Sequence, residues 1–180
     1  MRSTRDLYLL VDESVDDLAK EFAVETIEKF FNLRLKLAPL KINLKIAYDR
    51  YRRQYNAENL LNVVASGIID GLFMVMLHRD IFVPGLNYVF GVALPFVGCV
   101  ISTWRLKSPD QNLYHARVSR TIKHELGHVF GLLHCNRRCV MVFANSLLEL
   151  DLKFDDFCDK CKRYLLGMNI LRKFSDTIVQ

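Results

Sequence analysis

The chain has 180 residues, 51% of them hydrophobic and 25% charged, and its formal net charge is +5. This composition is typical of a globular domain with a buried core, and it excludes a largely disordered chain. The lysines and arginines are spread along the sequence, so the charge does not indicate a dedicated nucleic-acid surface.

The first third of the sequence predicts strands and helices in alternation. Residues 6–11, DLYLLV, are typical of a buried strand, and residues 13–32 have the apolar spacing of a helix. Residues 33–48 alternate apolar and basic side chains, which indicates one or two half-exposed strands interrupted at Pro39. The apolar face predicted for the helix consists of Val15, Leu18, Ala19, Phe22, Ala23, Thr26 and Phe30.

The middle of the chain predicts a second helix followed by two strand-rich segments. Asn56 suits the N-cap of this helix, because its side chain can accept a hydrogen bond from an unpaired backbone N–H of the first turn. Residues 71–83 and 88–106 are rich in the β-branched and aromatic residues typical of strands. The apolar face predicted for the second helix consists of Ala57, Leu60, Leu61, Val64 and Ile68.

A third helix is expected from about Asn112 to Leu132 or Leu133. Taken in order, the elements predict an α/β fold in which helices pack on a mixed, twisted sheet. We expect a single domain spanning residues 1–180, with no internal repeat.

The end of the chain differs in composition from the rest. Residues 135–180 are rich in charge and carry four of the five cysteines. A segment of this size buries little core by itself, so a covalent cross-link, a bound metal ion or packing on another part of the chain must stabilise it. We therefore divide the domain into an N-terminal subdomain, residues 1–134, and a short C-terminal subdomain, residues 135–180.

One apolar stretch, residues 82–101, is long enough to cross a bilayer as a helix. Its prolines and glycines would interrupt such a helix repeatedly, so two buried strands joined by turns fit it better and no membrane span is expected. The N-terminus lacks the roughly 7–15 apolar residues of a secretory signal, and we expect a cytoplasmic protein. The interrupting residues are Pro84, Gly85, Gly91, Pro95 and Gly98.

The segment HELGHVFGLLHC, residues 124–135, concentrates groups that bind metal. His124 and His128 are four residues apart on the predicted third helix, so their rings project from one face and can meet a single zinc ion. Glu125 lies about 100° around the helix, where it reaches a water on the metal as a general base. His78 and His115 have no such partners, so ordinary core or surface roles are expected for them.

Gly131 and His134 add a third ligand to this pair. A straight helix would carry His134 about 9 Å along its axis, away from the metal, so the chain must turn first. Gly131 can adopt the positive φ that ends a helix, and three imidazoles then leave one coordination position open, as catalytic zinc requires. The alternative third ligand is Glu149, 21 residues after His128, but it leaves Gly131 and His134 without a role.

Four of the five cysteines form two close pairs, Cys135 with Cys139 and Cys158 with Cys161. Two thiolate pairs separated by a loop are typical of a tetrahedral zinc site that is closed to substrate and therefore structural. The alternatives are four reduced thiols, or two disulfides in a secreted protein. Cys99 stands alone in an apolar run, which favours a buried small hydrophobic residue.

These residues match a known family. HELGHVFGLLH has the metzincin pattern H-E-x-x-H-x-x-G-x-x-H, and the cysteine pairs with CVM resemble the archaemetzincins, or archaelysins, in particular. QYNAENLL and DIFVPGLNYVFGVA are also similar to that family, so the resemblance covers residues from about 50 to 161. It implies a metzincin-like zinc peptidase fold in which Met141 is the Met-turn methionine beneath the zinc site.

The expected function is hydrolysis of peptide bonds with two zinc ions per chain, one catalytic and one structural. The catalytic ion would lower the pKa of water and polarise the scissile carbonyl, while Glu125 takes the proton and passes it to the leaving amine. An edge strand within residues 90–101 could pair with an extended peptide. The alternative function is a non-catalytic zinc module that grips nucleic acid through Arg137, Arg138, Lys160, Lys162 and Arg163.

Overall fold

The computed structural model describes residues 4–67 and 71–173. In chain order, its elements are β1 (Arg5–Val11), α1 (Asp17–Phe30), β2 (Leu33–Pro39), a 3-10 helix (Leu44–Ala47), β3 (Tyr48–Asp49), β4 (Gln54–Asn56), α2 (Ala57–Gly67), β5 (Leu72–Leu77), β6 (Ile81–Phe82), β7 (Gly91–Leu94), β8 (Gly98–Ser102), α3 (Gln111–Val129), α4 (Leu147–Leu152) and α5 (Asp159–Gly167).

The main sheet has five strands in the order β2-β1-β5-β8-β7. The first four run parallel, and β7 pairs antiparallel with β8 at one edge. A smaller sheet has the order β3-β4-β6. The mixed sheet with helices packed on it confirms the predicted fold class.

The two faces of the main sheet bury different helices because side chains alternate along each strand. On β5, Met74 and Met76 belong to the core cluster that includes Ala23 of α1 and Ile122 of α3. The intervening Val75 belongs to a second cluster formed with α2. The central strand is therefore apolar at every position, as expected of a parallel strand covered on both faces.

Side-chain caps fix where the helices begin. The Asp16 carboxylate accepts a hydrogen bond from the Ala19 N–H at the start of α1, and Asp110 accepts from the Asn112 and Leu113 N–H groups at the start of α3. Asn56 accepts from the Asn59 N–H, which confirms its predicted role as a cap.

Several sequence-based expectations need correction in detail. Leu18, predicted to lie on the buried face of α1, is 38% exposed, whereas Ile27 is fully buried. Of the one or two strands predicted for residues 33–48, one forms and ends at Pro39, and a 3-10 helix follows it at Leu44–Ala47. Helix α3 ends at Val129, a few residues earlier than predicted. Ile68, predicted for the apolar face of α2, lies outside the described residues.

Residues 82–101 form strands and turns, as predicted. None of the helices in the described part of the chain combines the length and the apolar character that a bilayer crossing needs.

Residues on both sides of position 134 share one core. Phe157, Leu165 and Ile170 belong to the same buried cluster as Ile27 and Phe31. The chain also returns to the end of α1, where the Asn32 N–H donates to the Ile170 carbonyl at 2.6 Å. The charged C-terminal segment thus obtains apolar burial by packing on the N-terminal part.

Candidate zinc centres

Helix α3 carries the first two histidines of the predicted zinc site on one face. The Nδ1 of His124 lies 2.9 Å from the Val140 carbonyl oxygen, and the Nδ1 of His128 lies 2.7 Å from the Leu132 carbonyl oxygen. A carbonyl only accepts, so the tautomer that pairs with both carbonyls carries its proton on Nδ1. In that tautomer both rings present an unprotonated Nε2.

The two Nε2 atoms face each other at 3.1 Å. With both protons on Nδ1, no hydrogen lies between these atoms, and their lone pairs repel each other unless a cation is shared. Zn–N bonds of roughly 2.0–2.1 Å in a tetrahedron put neighbouring ligand nitrogens roughly 3.3 Å apart. The separation therefore fits two ligands of one zinc ion.

Gly131 turns the chain so that His134 can join this pair. Its φ is +88°, and its N–H donates to the His128 carbonyl while the Leu132 N–H donates to the Gly127 carbonyl. These two bonds form the Schellman ending of α3, which uses a glycine for the left-handed residue.

The three histidines form one group. One nitrogen atom from each of His124, His128 and His134 lies within 4.8 Å of the others. The Phe143 ring packs edge-on against the exposed His134 ring, with centroids 5.1 Å apart. The structure therefore brings together the three residues that the sequence predicted.

Met141 lies beneath the histidine pair. It is fully buried, and its sulfur would collide with a side chain at Gly127, between the two helical histidines. The Met141 carbonyl accepts a hydrogen bond from the Cys135 N–H at 3.0 Å, which links the segment under the histidines to the cysteine region.

Glu125 occupies a buried position against strand β7. A Cβ added to Gly91 would stand 2.6 Å from the Glu125 Cγ, so only glycine leaves room for the carboxylate side chain there. Burial raises the pKa of Glu125 to about 8, and the nearby charge of Lys153 opposes this rise. A divalent cation at the histidines would favour the carboxylate further.

A cleft of about 340 Å³ opens over these groups. The residues that line it include Tyr88, residues 91–93 of β7, Leu133 and Phe143. Lys153 also lines the cleft, with its Nζ 3.1 Å from the His124 Nδ1. Burial, followed by the charge of Lys153, lowers the pKa of His124 to about 2, which keeps the ring neutral as a metal ligand must be.

Glu149 and the remaining histidines have other roles. The Glu149 carboxylate accepts a hydrogen bond from the Asn145 N–H at 2.8 Å, next to the Ser146 cap of α4, and it lies outside the histidine group. His78 contacts the Thr103 hydroxyl at 2.9 Å. His115 lies 3.4 Å from the Glu25 carboxylate.

The second predicted centre is a group of four cysteines: Cys135, Cys139, Cys158 and Cys161. Their sulfurs lie within 4.8 Å of one another, and none forms a disulfide. The Cys135 and Cys158 sulfurs are 3.9 Å apart, close to the roughly 3.8 Å expected between two ligands in a tetrahedral site with Zn–S bonds of about 2.3 Å.

Within this second group the surroundings favour a thiolate at Cys158, whereas burial raises the pKa of Cys139 and of Cys161. The Cys158 N–H donates to the Cys139 sulfur at 3.2 Å. Burial alone would raise the pKa of Cys158, but hydrogen bonds from the Cys161 backbone and from neighbouring thiols outweigh it and lower the pKa to about 7. Cys99 is fully buried in the core and its thiol pKa is raised by that burial, as expected of a small hydrophobic residue.

Sequence reasoning missed two contributors to the site, Gly91 and Lys153. Gly91 stands in an apolar run whose glycines were attributed to turns, and only the approach of α3 to β7 gives it a role. Lys153 lies 29 residues after His124 in a charged segment, with no spacing that connects it to the histidines. Its position depends on tertiary packing.

Comparison with known proteins gives consistent results. Residues 4–166 match the model of peptidase family M54. The chain is 40% identical over 146 residues to the archaemetzincin of Nanoarchaeum equitans, which covers 81% of this chain and 82% of that protein.

Two crystal structures are similar to the whole fold. The archaemetzincin of Archaeoglobus fulgidus complexed with malonate has a TM-score of 0.78 at 33% identity, covering 88% of this chain and 99% of that one. The archaemetzincin of Methanopyrus kandleri has a TM-score of 0.76 at 35% identity, covering 94% and 97%.

Proposed function

Because the chain belongs to the archaemetzincins, peptidase family M54, and is a zinc metallopeptidase acting on peptides or proteins, we propose the following roles for its site residues. The three histidines hold the catalytic zinc, and Glu125 carries the proton. The four cysteines hold a second, structural zinc ion.

The facing Nε2 atoms of His124 and His128 carry this proposal. Two lone pairs held 3.1 Å apart by carbonyl groups behind them form an arrangement that a shared cation stabilises. His134 supplies the third nitrogen, and its exposed ring leaves the site open towards the cleft. A three-histidine site with an open position is the ligand set of catalytic zinc.

When bound, a zinc ion supplies Lewis acidity, which acidifies water and polarises a scissile carbonyl. The Glu125 carboxylate accepts the proton from the attacking water and returns it to the leaving amine. Its burial against Gly91 and α3 excludes bulk water and restricts the carboxylate to the side of the cleft. Strand β7 is the edge of the sheet beside the cleft, so its outer backbone groups are available to pair with an extended substrate.

The four-cysteine group completes the proposal. Its sulfurs belong to the loop after α3 and to the start of α5, so a metal shared by them joins two segments that are distant in sequence. Because all four positions are protein thiolates, no position remains for substrate, and the role is structural.

Peptide cleavage by matched glutamine variants tests the assignment of Glu125. Glu125→Gln keeps the size of the side chain but accepts no proton at neutral pH, and general base catalysis is typically worth about 10²–10⁴ in rate. We expect Glu125→Gln to lose at least about a hundredfold in the release of new amino termini from a mixed peptide pool, with unchanged zinc content.

Glu149→Gln is the matched control, because it makes the same chemical change at an exposed glutamate outside the histidine group. It should cleave at the wild-type rate. Equal rates for wild type and Glu125→Gln would refute the role of Glu125. If wild type bound zinc but cleaved nothing in a broad pool, the proposed use of the histidine site would be wrong.

A further inference from the structure

Lys153 is a buried cation in the wall of the cleft. Lys153 is only 9% exposed, yet it lines the cleft together with Glu125, Ala144 and Leu150. A buried ammonium is costly unless an acceptor or an opposite charge compensates it. Within the described residues, the hydrogen-bonding neighbour of its Nζ is the His124 Nδ1, at 3.1 Å, and no acid forms a salt bridge with it.

The His124 Nδ1 cannot serve as that acceptor when the histidines hold a metal. A neutral imidazole whose Nε2 binds metal carries its proton on Nδ1, and this proton goes to the Val140 carbonyl at 2.9 Å. Nδ1 then has no lone pair to offer to Lys153. Metal binding therefore leaves the Lys153 ammonium facing a proton donor.

The position of Lys153 is held firmly by contacts between α3 and the segment after α4. The Arg117 guanidinium binds both oxygens of the Asp151 carboxylate at 2.7 Å. Arg120 donates to the Asp151 carbonyl at 3.0 Å, and the Lys123 Nζ donates to the Asp155 carbonyl at 2.6 Å. These contacts flank Lys153 on both sides and hold its backbone in place, and the 9% exposure of the residue keeps its side chain largely out of solvent.

Glu125 is the acid that shares the cleft with Lys153, and each influences the charge of the other. The proposed function uses the Glu125 carboxylate as the proton carrier, so it must stay free of a fixed ion pair with Lys153. Apart from these two groups and the histidines, the cleft is lined mainly by apolar residues, with Thr121 and Asn145 as uncharged polar ones. An anion that enters the cleft would meet one positively charged side chain.

We propose that Lys153 forms a carboxylate-binding subsite beside the catalytic zinc and selects peptides that present an acidic group there. This inference rests on the proposed function of the histidine site. The ammonium approaches the His124 ring at Nδ1, whereas the metal position lies at Nε2, so the bound carboxylate would be a second group of the substrate and not the ligand of the metal. The carboxylate could belong to an aspartate or glutamate side chain or to the C-terminus of the peptide.

The test measures peptide binding to zinc-loaded Glu125→Gln protein, which holds substrate without the proposed proton carrier. The probes are otherwise neutral peptides in which a glutamate is placed at each position in turn, paired with glutamine peptides of the same sequence. A second pair differs in having a C-terminal carboxylate or a C-terminal amide. We expect one acidic placement to bind about ten- to a hundredfold more tightly than its neutral partner. The placement identifies which source of carboxylate the subsite takes.

The preference should disappear when Lys153→Met is added, because methionine fills a similar volume without charge. It should persist when Lys45→Met is added, which removes the same charge from an exposed lysine outside the cleft. Lys153→Gln should lose the preference as well, and it replaces Lys153→Met in the test if that variant folds poorly.

Equal binding of every acidic peptide and its neutral partner would overturn the proposal, as would a preference that survives both Lys153 variants. The zinc content of the same samples and cleavage of the neutral peptides by wild type report on the proposed function separately. Normal zinc content and cleavage without an acidic preference would therefore reject the subsite alone.

Discussion

Gly131 and His134 act together in the histidine site, because Gly131 ends the helix and His134 can then join the other two histidines. The helix must end within the five residues between His128 and His134, and Gly131, whose φ is +88°, ends it. The geometry was predictable because helical spacing and the conformational freedom of glycine are both local properties. That these histidines bind zinc stays a prediction, since it concerns an ion and not a fold.

Replacing the two candidate third ligands separates their roles. His134→Ala removes one of three imidazoles, so zinc at the histidine site should bind at least about tenfold more weakly. Glu149→Ala removes a hydrogen bond to the Asn145 N–H at the start of α4 and should leave zinc binding unchanged. Zinc titration of both variants, followed by a competing chelator of known affinity, measures the difference. Loss of zinc from Glu149→Ala with retention by His134→Ala would reverse the assignment.

Other residues of the site could not be predicted from local spacing. The carbonyls of Val140 and Leu132 fix the ring tautomers, and Lys153 approaches His124 from a segment 29 residues away. Each of these contacts exists because the chain after α3 folds back beneath and beside the helix. A single sequence does not indicate that the chain folds back in this way.

The approach of β7 to α3 is the packing contact that shapes the catalytic side of the cleft. The strand is short, and its first residue is Gly91, which lies against Glu125. The sequence correctly predicted a strand here, because alternation and turn residues mark it. Which helix it faces depends on the strand order, and that order is a property of the whole sheet.

Adding one methyl group at this contact should impair catalysis without unfolding the protein. The Cβ of Gly91→Ala would stand 2.6 Å from the Glu125 Cγ and 2.8 Å from its Oε1, so the flexible glutamate side chain must move. We expect at least about a tenfold loss of kcat with zinc content and melting temperature nearly unchanged, because misplacement by about 1 Å can cost that much or more.

Gly67→Ala is the matched control for Gly91→Ala. A Cβ at Gly67 meets no heavy atom of the described residues within 4 Å, so the same chemical change there should leave kcat intact. Wild-type kcat in Gly91→Ala would show that the close contact with β7 does not position Glu125.

The boundaries of elements were the least predictable features of the fold. α3 ends at Val129 because the Schellman bonds require Gly131 to lie just past the helix, whereas the apolar pattern alone continues through Leu132 and Leu133. The segment after Pro39 alternates like a strand, but Asn43 caps a 3-10 helix there. In both cases local hydrogen bonds override the periodicity of the side chains.

Across the whole molecule, two groups of candidate metal ligands meet at the junction of His134 and Cys135 but have different surroundings. The histidine group opens to the cleft, and the cysteine group joins the loop after α3 to α5. The spacing of the cysteines correctly predicted that the four would lie together, and the zinc ion proposed to join them stays a prediction. The packing of the C-terminal segment on α1 was not predictable, because the apolar residues that make this contact are few and scattered among charged ones.

Graded removal of metal should distinguish the two groups. A mild chelator should empty the open histidine site and abolish cleavage while the fold is retained. Exhaustive chelation should also strip the cysteine site and lower the melting temperature by more than about 10 °C, because structural zinc contributes folding free energy directly. Zinc content, cleavage and thermal melting are measured at each step. An unchanged melting curve after complete removal of zinc would refute the structural role.

The most direct measurement is an anomalous difference map collected at the zinc absorption edge from crystals supplied with zinc. The account predicts two peaks per chain. One peak should lie among the Nε2 atoms of His124 and His128 and a ring nitrogen of His134, and the other should lie among the four cysteine sulfurs. No peak at the three histidines, or a peak there with Glu149 and not His134 as a ligand, would contradict it.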